Sequence, residues 1–198
     1  MRIDLLRHGQ TGREGYLDGR TDPPLDDIGW RQFARQTQGM AWKLVASSPR
    51  LRARSAAEDY VRRTGSALRI DDDWAELDFG DWDGRPRSEI AATPDGAAQL
   101  EAFYADPLNS AAPGGESWAD LQRRIERAID AILAEQEFAP ALVVTHAGAI
   151  RAALSLILGW PLRSLWSLRI NPGTRIGLDV GRTDRGMLWG EIVEIIQP

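Results

Sequence analysis

Apolar positions along this chain alternate between short continuous runs and longer stretches with helical spacing. Arg2 to Leu6, Lys43 to Ala46, Ala67 to Ile70 and Ala141 to Thr145 read as short strands, the last the most completely apolar. Between them the period changes. Ile28, Phe33, Ala34 and Thr37 mark one face of a helix from Asp26 or Asp27 to about Gln38, with Gly39 as its stop. Ser48 as N-cap and Pro49 as first residue predict a second helix, which carries Ala53, Ala56, Ala57, Tyr60 and Val61 inward and ends at Gly65. Ser117, with Asp120 three residues on, opens a long helix whose inner face is Leu121, Ile125, Ala128, Ile129, Ile132 and Leu133, stopping near Phe138–Pro140. Ala149 to Leu158 is a further helix, closed by Gly159-Trp160-Pro161. The tail alternates and predicts strands at Leu165–Ile170, Thr174–Val180 and Met187–Ile195, with a turn over Gly181–Gly186. This order predicts an α/β fold, a three-layer α/β/α sandwich around a central, mostly parallel sheet.

Two segments do not fit that rhythm. Gly9 to Pro24 is polar, glycine-rich and too long for an inert connector, so it reads as a binding loop. Residues 71–116 are irregular, with short helices expected at Ser88–Ala92 and Gly96–Ala105, and form a lid-like excursion from one domain spanning 1–198.

Composition narrows the chemistry. The chain has 198 residues, 43% of them hydrophobic and 27% charged, enough for one sizeable core and too apolar for disorder. It has no cysteine, which excludes disulfides and thiolate chemistry. With two histidines a multi-histidine metal site is not expected, and no metal is signalled. The net charge of -5 argues against nucleic acid as a partner. No apolar run approaches a membrane span, and no h-region follows Met1-Arg2-Ile3-Asp4, so the expected location is the cytoplasm.

Both histidines follow strands. Arg7-His8-Gly9 succeeds the first, His146-Ala147-Gly148 the strand at 141–145, and Ser47 through Arg52 the second. Parallel strands share a carboxyl edge, where open α/β sheets bind ligands. A neutral imidazole beside fixed guanidinium forks suits phosphoryl transfer through a phosphohistidine: His8 attacks phosphorus, and Arg7 and Arg52 grip the non-bridging oxygens. The leaving alkoxide needs an acid. Glu76 is the candidate, with Phe79 and Trp82 available to desolvate it, while Asp78, Asp81 and Asp83 compete for the role.

Five motifs in order carry a resemblance over nearly the whole chain: Leu6-Arg7-His8-Gly9-Gln10-Thr11, Ser48-Pro49-Arg50-Leu51-Arg52-Ala53, Glu76 with Phe79-Gly80 and Trp82, Gly114-Gly115-Glu116-Ser117, and Val144-Thr145-His146-Ala147-Gly148. The chain resembles the histidine phosphatase superfamily, the phosphoglycerate-mutase-like group. That resemblance implies a metal-independent phosphatase without an organic cofactor. It implies His8 as nucleophile, Glu76 as proton donor and later base, and Arg7, Arg52, His146 and the Ala147 backbone N–H as the phosphate pocket. The chain departs from the pattern at Glu14, where many members carry Asn and which is expected to point away. It also departs at Gln10, in place of a commoner Glu, and at Arg50, in place of Leu and expected to charge the pocket mouth. Within the superfamily it is similar to the α-ribazole phosphatases of cobalamin nucleotide-loop assembly, by its short length, Phe79-Gly80-Asp81-Trp82 and the block Trp160–Gly173; Trp82 and Trp118 would stack on a flat base. The expected partner is a small phosphorylated substrate, α-ribazole 5′-phosphate foremost, with a homodimer left open. The alternatives are a broad sugar-phosphate phosphatase, a phosphoglycerate mutase and a non-catalytic phospho-ligand module.

Overall fold

The computed structural model describes residues 1–135 and 139–198. Its strands are β1 (Arg2–Arg7), β2 (Tyr16–Leu17), β3 (Leu44–Ser47), β4 (Ala67–Ile70), β5 (Arg85–Pro86), β6 (Ala141–Thr145), β7 (Arg175–Arg182) and β8 (Leu188–Ile196). Its α-helices are α1 (Asp27–Thr37), α2 (Leu51–Thr64), α3 (Arg87–Ala91), α4 (Gly96–Ala105), α5 (Trp118–Leu133) and α6 (Ala147–Leu158). No described helix is long and apolar enough to cross a membrane.

Six strands form one sheet in the order β4-β3-β6-β1-β7-β8. The first four run parallel; β7 is antiparallel to both β1 and β8. Side-chain alternation assigns the two faces. Ile3, Leu5, Leu44, Ala46, Ala141 and Val143 join one core with the inner faces of α5 and α6. Leu6, Val45, Leu142 and Val144 join the other, with Phe33 of α1 and the alanine face of α2. The middle strand β6 is fully buried because helices cover it on both sides, which is why its sequence is apolar rather than alternating.

The expected sandwich and its mostly parallel sheet are present. Several boundaries differ, for identifiable reasons. Helix α2 starts at Leu51 with Arg50 as N-cap, not at Pro49. Ser48 still belongs to the sheet edge, since its N–H donates to Val144 O (3.0 Å), and its hydroxyl both accepts from Arg50 N–H (3.2 Å) and meets His146 Nε2 (2.7 Å). Helix α6 begins two residues earlier than its apolar pattern suggests, with His146 as N-cap. Helix α5 ends at Leu133; Phe138, in the expected stop, lies outside the described residues. The strand expected at Leu165–Ile170 is instead a 3₁₀ helix over Leu162–Ser167. Leu162 and Leu165 are its buried residues, and their spacing of three matches the 3₁₀ turn. The excursion contains α3 and α4 close to expectation, plus the small β2–β5 ladder that joins it to the 9–24 loop.

Candidate active site

Strands β1 and β6 are adjacent and parallel, with Arg7 opposite Thr145. The next residue on each strand is a histidine. His8 N–H donates to Thr145 O (2.9 Å), extending the ladder by one step. The two rings meet edge to face, with centroids 5.0 Å apart and an interplanar angle of 61°. Gly9 leads the chain away, and it lies so close to Gly29 of α1 that a Cβ at either position would strike backbone.

The His8 tautomer follows from its partner. His8 Nδ1 is 2.7 Å from Gly9 O, and a carbonyl can only accept, so Nδ1 carries the proton and Nε2 keeps its lone pair. His146 Nε2 contacts Ser48 Oγ (2.7 Å), while its Nδ1 is buried without a protein partner. Ser48 Oγ accepts from Arg50 N–H (3.2 Å); when its own proton goes to Nε2, the ring proton sits on Nδ1, where it can meet an oxygen brought by a ligand.

Burial, with Arg52 and Arg7 nearby, holds the His8 imidazole well below its usual 6.5. Burial, Arg52, His8 and Arg7 do the same to His146. Both rings are therefore neutral when folded at neutral pH. On unfolding below pH 6.5 each takes up a proton, so stability falls as pH falls, by up to about 1.4 kcal/mol per pH unit for each ring. Urea unfolding between pH 5 and 6.5 is expected to show this slope and to lose about half of it in His146→Asn; an unchanged slope would contradict the account.

Arginines surround the pair. Arg7 donates from Nη1 to Ile170 O (2.7 Å), and its Nε is buried and unpartnered. Burial brings its pKa down to about 10, against the field of Glu76, and it stays cationic. Arg52 is only 2% exposed. It donates to Thr21 O (2.8 Å) and Asp18 O (2.7 Å), so it also anchors the 9–24 loop. The same loop donates four hydrogen bonds to the Asp83 carboxylate, from the N–H groups of Gly19, Arg20 and Thr21 and from the Thr21 hydroxyl. Ala147 is the first residue of α6, where backbone N–H groups have no intrahelical acceptor.

Glu76 faces this cluster with both oxygens held. Leu77 N–H donates to Oε1 (2.9 Å) and Gly148 N–H to Oε2 (3.2 Å). The segment behind it is clamped by Arg124. That guanidinium pairs with both Glu116 oxygens (2.7 and 2.8 Å) and donates to the carbonyls of Asp73, Ala75 and Glu76. A Cβ at position 148 would collide with the Glu76 carboxylate. Gly148→Ala is therefore expected to leave α6 intact but displace the acid, lowering kcat on an alkyl phosphate by about 10²-fold. Steady-state kinetics with a thermal melt would check this.

His8, Arg7, Arg52, Glu76 and Ala147 all line one cavity of about 510 Å³; His146 is fully buried and outside that lining, with its ring against that of His8. Glu14 is exposed and does not line it. Arg50 does not line it either; its backbone caps α2. Trp82 turns into the core against Phe103 (5.7 Å), leaving Phe79 and Trp118 on the wall. The sequence reading missed Ser48, Arg124, Gly148, Tyr104, Arg151 and Trp166. An arginine one turn beyond a histidine-capped helix start was the available clue to Arg151. Among the described residues, no three His, Asp or Glu side chains converge to hold a metal ion.

Comparison with known proteins identifies the family and the fold. The family model "Histidine phosphatase superfamily (branch 1)" matches residues 3–188. A bifunctional protein of Mycobacterium tuberculosis is 36% identical over 163 residues, covering 79% of this chain but 44% of that protein, so the chain spans less than half of that relative. The adenosylcobalamin/alpha-ribazole phosphatase of Escherichia coli is 26% identical over 187 residues, covering 92% of this chain and 91% of that one. The solved structure of a mycobacterial glucosyl-3-phosphoglycerate phosphatase with VO3 superposes with a TM-score of 0.85 at 26% identity, covering 98% and 97% of the two chains.

Proposed function

Since the chain belongs to the histidine phosphatase superfamily, we propose that it hydrolyses small phosphomonoesters through a phosphohistidine on His8, with no metal or organic cofactor taking part. The observation that carries this reading is the His8 ring. Its Nδ1 is tied to Gly9 O, its Nε2 is free, and it lies among Arg7, Arg52 and His146 at one end of a cavity whose wall includes Glu76.

In the first step the Nε2 lone pair forms a bond to phosphorus as the ester P–O bond breaks. The departing alkoxide takes the proton of Glu76. Arg7, the Ala147 amide and the His146 Nδ1–H serve the non-bridging oxygens, and Arg52 adds its charge from the loop side. In the second step water attacks the same phosphorus and gives its proton to the Glu76 carboxylate. The N–P bond breaks, its electrons return to Nε2, and inorganic phosphate leaves.

α-Ribazole 5′-phosphate is the substrate favoured by the motif resemblance and by the aromatic wall of Phe79, Trp118 and Trp166. A second reading, an ester with an acidic alcohol part, is favoured by arginines on the same wall. A substrate panel that includes α-ribazole 5′-phosphate and 3-phosphoglycerate, assayed for released phosphate, tests these readings. Isomerisation of 3-phosphoglycerate without phosphate release would make the chain a mutase. Binding without turnover or labelling across the panel would make it a phospho-ligand module.

A further inference from the structure

In the sequence Asp83 competes with Glu76 for the acid role, yet its carboxylate does not line the cavity; it meets the 9–24 loop instead. We propose that Asp83 is a positioning residue for Arg52. It holds residues 18–21 so that the carbonyls of that segment aim the Arg52 guanidinium at the phosphoryl group. This deepens the phosphatase reading and rests on it.

The segment has two sides. On one side Gly19 N–H (2.8 Å) and Arg20 N–H (2.7 Å) donate to Asp83 Oδ1, while Thr21 N–H (2.9 Å) and the Thr21 hydroxyl (2.6 Å) donate to Oδ2. On the other side Arg52 Nη2 donates to Asp18 O (2.7 Å) and Nη1 to Thr21 O (2.8 Å). The two sets of contacts share a peptide group. The unit joining Asp18 to Gly19 gives its carbonyl to Arg52 and its N–H to Asp83. In a trans peptide these two groups point in opposite directions, so the cation and the anion stand at the two ends of one dipole. The next unit repeats the pattern more loosely, with Arg20 N–H on Asp83 and Gly19 O 3.5 Å from Nη2. Gly19 permits the close stacking. A Cβ there would lie 2.4 Å from Leu77 O and 3.2 Å from Asp83 Oδ1.

Arg52 stands in the first turn of α2, but both of its terminal nitrogens are engaged by the loop. The loop therefore sets the plane of the guanidinium, and a long flexible side chain acquires one orientation. Burial alone would raise the Asp83 carboxyl; the hydrogen bonds from Thr21, Arg20 and Gly19 outweigh it and hold the group below its usual value. Asp83 is thus ionised at neutral pH, with four donors gathered on two oxygens. Arg52 also has a carboxylate in direct contact, Asp22, whose Oδ1 is 3.3 Å from Nη1. The shorter bond of Asp22 goes from Leu51 N–H to its Oδ2 (2.8 Å), which ties Asp22 to the start of α2. The short contacts of Arg52 are those to the carbonyls that Asp83 organises.

Double-mutant cycles test this. Asp83→Asn keeps the shape of the side chain but turns an amide NH₂ towards backbone donors. It is expected to lower kcat/KM by about 10–100-fold and to weaken binding of inorganic phosphate, read by calorimetric titration, by about 10-fold. In an Arg52→Lys background the same substitution should cost about 2-fold or less, while in a Glu76→Gln background its full factor should remain. A merely structural staple would lower the melting temperature and give losses that add to those of Arg52→Lys. Additive losses, wild-type rates in Asp83→Asn, coupling to Glu76 alone, or coupling of Arg52 to Asp22→Asn in place of Asp83→Asn would each overturn the assignment and leave the phosphatase reading standing. If Asp83→Asn does not fold, Thr21→Val removes one of the four bonds and should show the same coupling with a smaller loss. A wild type that binds phosphate without turnover would end the phosphatase reading, and the titrations alone would then judge the coupling. A wild type that neither binds phosphate nor turns over would remove both.

Discussion

His8→Ala is expected to abolish the covalent intermediate and to cut turnover by about 10⁴–10⁶-fold. The size follows from the division of labour at phosphorus. Arg7, Arg52, His146 and the α6 amide would still bind and polarise the phosphoryl group, which leaves some acceleration over water. They offer no lone pair. On His8 the nitrogen free to attack is Nε2, because Gly9 O takes the proton on Nδ1. No described side chain replaces it, since the other histidine spends Nε2 on Ser48. Brief incubation with a ³²P-labelled ester, followed by an alkaline quench, should label the wild type with an acid-labile phosphoprotein and leave the variant unlabelled. Labelling that survives in His8→Ala would move the nucleophile elsewhere.

Glu76→Gln should slow hydrolysis of an alkyl phosphate by about 10²–10⁴-fold. The variant keeps the shape of the acid, but its amide cannot accept from both Leu77 N–H and Gly148 N–H, and it has no proton to give a leaving alkoxide. The signature lies in the contrast between substrates. p-Nitrophenolate leaves without help, so His8 should still be phosphorylated, and the loss then falls on the water step. A stopped-flow burst of about one p-nitrophenol per site, followed by slow turnover, is expected. Equal, small effects on both esters would remove Glu76 from proton transfer.

Much of the fold and site follows from local pattern. β6 reads as buried because helices cover both of its faces, and the histidines stand out because each directly follows a strand. Other features depend on partners that are remote in sequence. Asp4 sits where strand alternation suggests a solvent-facing residue, yet it is 1% exposed and held by Arg2, Trp42 and Arg175. Arg124 looks like the polar side of an amphipathic helix, while it in fact clamps the carbonyls that aim Glu76. Trp82 sits beside the acid in sequence, and its ring is drawn away by Phe103. The β2 and β5 strands are two residues each, too short for any period to reveal. Trp166, Leu168 and Ile170 alternate like a strand, but Leu162 and Leu165 fix the shorter turn over 162–167.

The reacting rings belong to residues that directly succeed paired positions on neighbouring strands. Insertions or deletions in connecting loops that touch neither histidine would leave that spacing in place, whereas one added residue inside β1 or β6 would turn a ring to the opposite side of the sheet. Chains built this way can diverge freely in length and in the walls that choose a leaving group, while the two short strands that carry the chemistry admit almost no change in length.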